Sequence, residues 1–135
     1  MGQQQLLLIV IGIVIVGLAV LGGFDAFNRH VRQDEADGLL DRGLSIATHA
    51  VHWKTVNDPF NGGNQSYAEL AVDGLDRLAV DESTIRGQFA ITSATADQIE
   101  VTGVSDRYPE VGIRVFVTEY VIDSSYVRFD GSLSL

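Results

Sequence analysis

The sequence has no cysteine, two prolines and a single lysine. Without cysteine there is neither a disulfide framework nor a thiolate metal site, so stability must come from packing or from assembly. An extracellular location stays open on that basis. With proline confined to Pro59 and Pro109, long elements can run uninterrupted through the rest of the chain. Lys54 and eight arginines face 18 acids, for a net charge of −9. That balance repels phosphate backbones and disfavours nucleic acid as a partner. Charge is missing locally as well, because no Asp, Glu, Lys or Arg precedes Asp25. The stretch from Asp25 to Leu135, about 110 residues, is enough for one small domain.

What fills the charge-free stretch is an apolar run, Leu6 to Phe24 (LLLIVIGIVIVGLAVLGGF), behind Met1-Gly2-Gln3-Gln4-Gln5. As a helix it would be about 28 Å long, the thickness of a bilayer's hydrocarbon core. A helix apolar on all sides is not stable alone in water. It must sit in lipid, be cleaved off, or be buried against copies of itself. A secretory signal wants a basic start and a small-x-small cleavage site, and three glutamines stand where the basic residues should be. A plain anchor fits by length, and Arg29 and Arg32 on its C-terminal flank would then hold the domain on the cytoplasmic side, with nearby acids blurring that signal. The third fate is a polymerisation helix, stored in the membrane and later packed into a filament core.

Apolar residues continue beyond Phe24 at helical spacing. Phe24, Phe27, Val31, Leu40, Leu44, Ala47 and Val51 form one row, widened by Leu39, Ile46, Ala50 and Trp53. Arg29, Arg32, Asp34, Glu35, Asp37, Asp41 and Arg42 fall between them as a polar side. The spacing predicts one nearly continuous helix from about Gln4 to Trp53. Residues 1–24 form its hydrophobic half and residues 25–53 its amphipathic half. Gly22-Gly23 is the expected place for a bend or local unwinding. Asn57-Asp58-Pro59 ends the helix, and residues 61–66 form a polar, Gly-rich loop. Tyr67 to Val80 reads as a short helix or turn. From Arg86 the period changes to two. Strands are predicted at Gln88–Ser93, Gln98–Val104, Gly112–Ile122 and Ser125–Asp130, with turns at Ala94–Asp97, Ser105–Glu110 and Asp123-Ser124. The fold class is α+β: a long helix, apolar then amphipathic, packed on a small four-stranded antiparallel sheet, with residues 54–135 as the globular β domain.

Candidate chemistry is sparse. His49 and His52 are i, i+3 on the helix with His30 earlier, and no third ligand converges on them, so no metal site is assigned. The acids Asp34, Glu35, Asp37 and Asp41 lack the loop spacing of a calcium site and read as a solvated face or as ion pairs with Arg29, Arg32 and Arg42. Asp25 and Arg29 are i, i+4 and can pair locally. Phe24, Phe27, Trp53, Phe60 and Tyr67 read as packing between helix and sheet. Asn64-Gln65-Ser66 is an Asn-x-Ser sequon, with Asn64 the glycosylation candidate. No phosphate loop, Ser-His-Asp arrangement or activated nucleophile is present, so neither catalysis nor a cofactor is expected.

A long N-terminal helix, apolar then amphipathic, ahead of a small antiparallel sheet resembles the type IV pilin class of filament subunits. Gly2 to Leu8 and Gly62-Gly63 give a closer likeness to small bacterial pilin-like proteins of unassigned function that open GQQQLLLI. The resemblance implies an inner-membrane subunit pool, an assembly machinery with an ATPase and a membrane platform, and an extracellular helical homopolymer. It also implies a processing site between Gly2 and Gln3. Pilins carry Glu at the fifth mature position, and here that position is Leu7. The amides of Gln3, Gln4 and Gln5 would then supply hydrogen bonds around the amino terminus. The expected self-assembly surface is Leu6, Leu7, Leu8, Ile9, Gly12, Ile13, Val16, Gly17, Ala19, Val20, Phe24 and Phe27, with close packing at the small residues. The alternative is a single-pass membrane-anchored protein with a small partner-binding β domain.

Overall fold

A computed structural model describes residues 2–135 and shows an α+β protein. Helix α1 runs Gly2–Thr55, 54 residues or about 81 Å. A 3-10 turn at Ala68–Ala71 and helix α2 at Gly74–Arg77 follow. The strands are β1 (Gly87–Ala94), β2 (Gln98–Ser105), β3 (Gly112–Thr118) and β4 (Val121–Arg128). They pair antiparallel in the order β1-β2-β3-β4, a meander. The chain divides into two compact units, residues 1–33 and 34–135.

Residues 2–33 of the first unit are α1 alone. The helix stays α-helical through Gly22-Gly23, against the expected unwinding. Each glycine costs about 1 kcal/mol relative to Ala, too little to break a cooperatively bonded helix of this length.

In the second unit the remainder of α1 packs on one face of the sheet. Leu39, Ile46, Ala47, Ala50 and Trp53 are buried, and Leu40, Leu44 and Val51 flank them partly buried. The sheet meets them with Phe89, Ile99, Val101, Ile113, Val115 and Val117. Along β2 and β3 these fall on every second residue, as period two demands. Gly43 sits at the closest approach, where a Cβ would lie 2.7 Å from Ile113 Cδ1 and 3.3 Å from Val115 Cγ2.

Three expectations need correction. The long run Gly112–Ile122 is not one strand, because β3 ends at Thr118 and a two-residue turn, Glu119-Tyr120, leads into Val121. Hairpin turns of this length usually announce themselves with Gly, Asn or Asp, and neither residue here is one. Asp123-Ser124 is no turn and lies within β4. The pairing passes from Phe116↔Ser124 to Val117↔Ile122, leaving Asp123 as a bulge on the outer strand. Of the five aromatics expected in the packing, Trp53 and Tyr67 are buried whereas Phe24, Phe27 and Phe60 are exposed.

The Gly-rich loop also divides its labour unexpectedly. Positive φ falls on Asn64 and Gln65. Gly63 is required for close approach, since a Cβ there would lie 2.6 Å from the Trp53 ring.

Lys54, the one lysine, is buried at the end of α1. Its Nζ lies 4.7 Å from the ring centres of both Tyr67 and Tyr120. Asp97 and Glu119 carboxylate oxygens are each 3.9 Å away. The Glu119 carbonyl oxygen accepts from Tyr67 Oη at 2.6 Å and from Lys54 Nζ at 3.4 Å. The Glu119 amide donates to the Asp97 carbonyl at 2.7 Å. This network holds Glu119 at φ 57°, a left-handed backbone that a residue with a side chain seldom adopts. The cation also sits favourably at a helix C-terminus.

Burial, then the neighbouring Tyr120 and Glu119, push the Tyr67 hydroxyl up to about 12 from its ordinary 10.0. A raised folded-state value means that unfolded chains lose this proton first. The corresponding stability is therefore intact below pH 10 and is lost as pH rises through about 12, by about 3 kcal/mol. Thermal melts of the chain in detergent micelles between pH 9 and pH 12 check this, the expected outcome being a steeper fall for the parent than for Tyr67→Phe. Parallel curves would remove Tyr67 as the cause.

Candidate functional site

Among the described residues, one helix is long and apolar enough to cross a membrane, with a mean hydropathy of 3.0 over its best 18 residues and none of that stretch buried. The large side chains from Leu6 to Phe27 are between 45% (Ile11) and 68% (Leu8) exposed, on every side of the helix. Each would gain about 1.5–3 kcal/mol on leaving water, so together they represent tens of kcal/mol that this chain does not itself capture. Leu6, Leu7, Leu8, Ile9, Ile13, Val16, Val20, Phe24 and Phe27 all belong to this surface. Gly12, Gly17 and Ala19 are exposed along with them. A Cβ placed at Gly12, Gly17, Gly22 or Gly23 meets nothing within 4 Å. No fold constraint within the chain therefore demands glycine there. Val20, Gly23, Phe24 and Phe27 border a shallow apolar hollow of about 390 Å³, large enough to receive a neighbour's side chain.

The flanks are polar. Gln3, Gln4 and Gln5 lie on the first turns of α1 with exposed side chains, and Gly2 is already helical. Arg29 NH2 and Asp25 Oδ2 form an exposed i, i+4 ion pair just past the apolar segment.

The remaining candidates are scattered. His49 Nδ1 is 2.8 Å from the Ser45 carbonyl, which engages that nitrogen in a bond within the helix, and His52 is exposed. Among the described residues, no group of three or more His, Asp or Glu is placed to hold a metal. Asn64 is exposed in the loop after α1, its amide Nδ2 3.5 Å from the Asp58 carbonyl.

Glu35 departs from the reading of its acidic run as a solvated face, which holds for the exposed Asp34, Asp37 and Asp41. Its side chain is buried, with Oε1 accepting from Ser105 Oγ at 2.9 Å and Oε2 lying 3.4 Å from Arg86 NH1. Sequence reasoning missed this residue because its partners lie 51 and 70 positions away. It missed the role of Lys54 too, although a solitary lysine in the last turn of a long helix was a usable signal.

The architecture, a long N-terminal apolar helix with a small four-stranded antiparallel sheet, is pilin-like. No protein-family model, curated protein or solved structure matches the chain.

The two classes of helix glycine should respond oppositely to a bulky side chain. Gly43→Leu is expected to destabilise the domain by about 2 kcal/mol through overpacking against Ile113 and Val115. Gly12→Leu should leave the melting of the same domain unchanged. Thermal denaturation followed at the single tryptophan reads both, and equal effects would contradict the assignment.

Proposed function

We propose that this chain is a structural, non-enzymatic subunit of a pilus-like extracellular filament, polymerising through Leu6 to Phe27. The observation that carries the reading is the wholly exposed apolar half of α1 in continuous helix with a half whose register on the sheet is fixed. In the mechanism, the apolar half first resides in the inner membrane. Extraction into the polymer exchanges lipid for neighbouring helices, one apolar surrounding for another. The net gain then comes from close packing at Gly12, Gly17 and Ala19. Contacts between globular units add to it. Assembly machinery is part of the proposal by resemblance alone. Cleavage between Gly2 and Gln3 and a glycan on Asn64 are compatible with it and are not needed by it. In the polymer, the amides of Gln3, Gln4 and Gln5 satisfy the buried amino terminus, because Leu7 supplies no carboxylate.

The rival is a membrane-anchored protein whose β domain binds a partner. Shearing cells and examining the released fraction by electron microscopy and mass spectrometry separates the two. Filaments containing this chain with its helix intact are the expected result, and recovery solely from membrane pellets would sink the proposal. Gly12→Leu and Gly17→Leu should abolish filaments while the subunit still partitions into membranes. Normal filaments from both variants would contradict close helix packing.

A further inference from the structure

The sheet face turned away from α1 carries side chains that the core does not use. At one end of it Glu100, Phe116, Thr118 and Asp123 border a hollow of about 150 Å³. Both outer strands bulge there. The β1–β2 pairing skips Thr92 and the β3–β4 pairing skips Asp123, and a bulge bends its strand. Glu100 Oε1 accepts from Thr92 Oγ1 at 2.7 Å and lies 3.0 Å from Arg114 Nε. Both contacts use Oε1, so the carboxylate is oriented and Oε2 is left for another donor. The hollow thus offers two carboxylates beside an aromatic ring, and it is too small for a drug-sized ligand. These groups suit a guanidinium, through forked hydrogen bonds to the oxygens and attraction to the ring face.

The same face presents a guanidinium of its own. Arg128 is exposed, 5.3 Å from the centre of the Tyr126 ring, which in turn lies 5.9 Å from that of Phe116. Arg128 pairs opposite Gly112, whereas the hollow lies opposite Phe116 to Thr118, about 15 Å along the strands. A two-fold axis crossing the strands midway lays β4 of one copy over β4 of another in reverse. Arg128 of each copy then meets the hollow of the other, a self-complementary contact. The charges permit it. Arg114 and Arg128 stand against Glu100 and Asp123, with Asp130 beside Arg128, two arginines against three acids in a chain of net charge −9. Two acidic copies therefore meet here with little repulsion.

We infer that this face is a reciprocal contact between two copies of the chain, each placing its Arg128 guanidinium in the hollow formed by Glu100, Phe116 and Asp123 of the other. Four strands about 4.8 Å apart and seven residues of about 3.4 Å give a footprint near 400 Å², roughly half of what a stable interface takes from each partner. The contact is therefore weak and forms where copies are already concentrated, in a membrane or a polymer. A two-fold contact closes on itself, so it ties copies in pairs and does not extend a polymer. It stands independently of the filament reading, since every group lies within residues 34–135.

The test uses the full chain at high concentration in detergent micelles and exploits its lack of cysteine. Arg128→Cys and Asp123→Cys are made separately, both at exposed positions, and one is nitrogen-15 labelled so that mass spectrometry tells the copies apart. Oxidised as an equal mixture, they should give mixed disulfide dimers in roughly tenfold excess over either same-variant dimer, where chance alone gives about twofold. The excess arises because position 128 faces position 123 and not itself. Charge exchange is the second readout. Arg128→Asp and Asp123→Arg should each weaken association in sedimentation equilibrium, and the double variant should associate more tightly than either. Gly12→Leu added to the cysteine variants should leave the mixed-dimer excess in place, which separates this contact from helix packing. The inference is overturned by a ratio near chance, by same-variant dimers in excess, by a double variant as weak as the singles, or by loss of the excess in Gly12→Leu.

Discussion

An apolar helix surface that its own chain cannot cover is the constraint on which the rest of this molecule depends. From Leu6 to Phe27 every large side chain is about half exposed or more, all round the helix. Folding of the β domain cannot relieve this, because that domain satisfies its own core with Leu39, Ile46, Ala50 and Trp53 further along the same helix. The exposed half therefore needs lipid or other copies, and the acidic domain attached to it stays soluble in either setting.

The domain's polar interior makes sense in that light. Glu35, with Ser105 and Arg86, ties α1 to the sheet near the start of its packed segment. Lys54, with Tyr67, Tyr120, Asp97 and Glu119, ties its last turn to two hairpin turns. A buried charge deprived of its partner is strongly destabilising, so each cluster penalises sliding or rotation of the helix against the sheet. Hydrophobic contacts alone would resist such slippage less, since one apolar row can replace another. A helix fixed at both ends of its packed segment is what a subunit needs if assembly is to set the position of its domain.

Legibility followed the physics of each element. The apolar run, the single helix and the four strands were readable because periodicity and length are local properties. The Glu119-Tyr120 turn was not, since its left-handed residue is held by Lys54, Tyr67 and Asp97 rather than by turn chemistry. Asp123 looked like turn material and is instead a bulge on the outer strand, where a charged residue discourages further pairing. Glu35 was unreadable as a buried group, and the partners of the conspicuous Lys54 were unreadable too, because charge patterns say nothing of groups tens of residues away. The exposed apolar surface was legible as composition. What covers it is a property of more than one molecule.

The central claim is that copies of this chain, rather than lipid alone, cover the apolar half of α1. A photo-crosslinking residue in place of Val16, whose side chain is 62% exposed, interrogates that surface directly in intact cells. Because each subunit both donates and receives a crosslink in a polymer, the account predicts a ladder of covalent multimers after illumination. Monomer carrying only lipid adducts would contradict it.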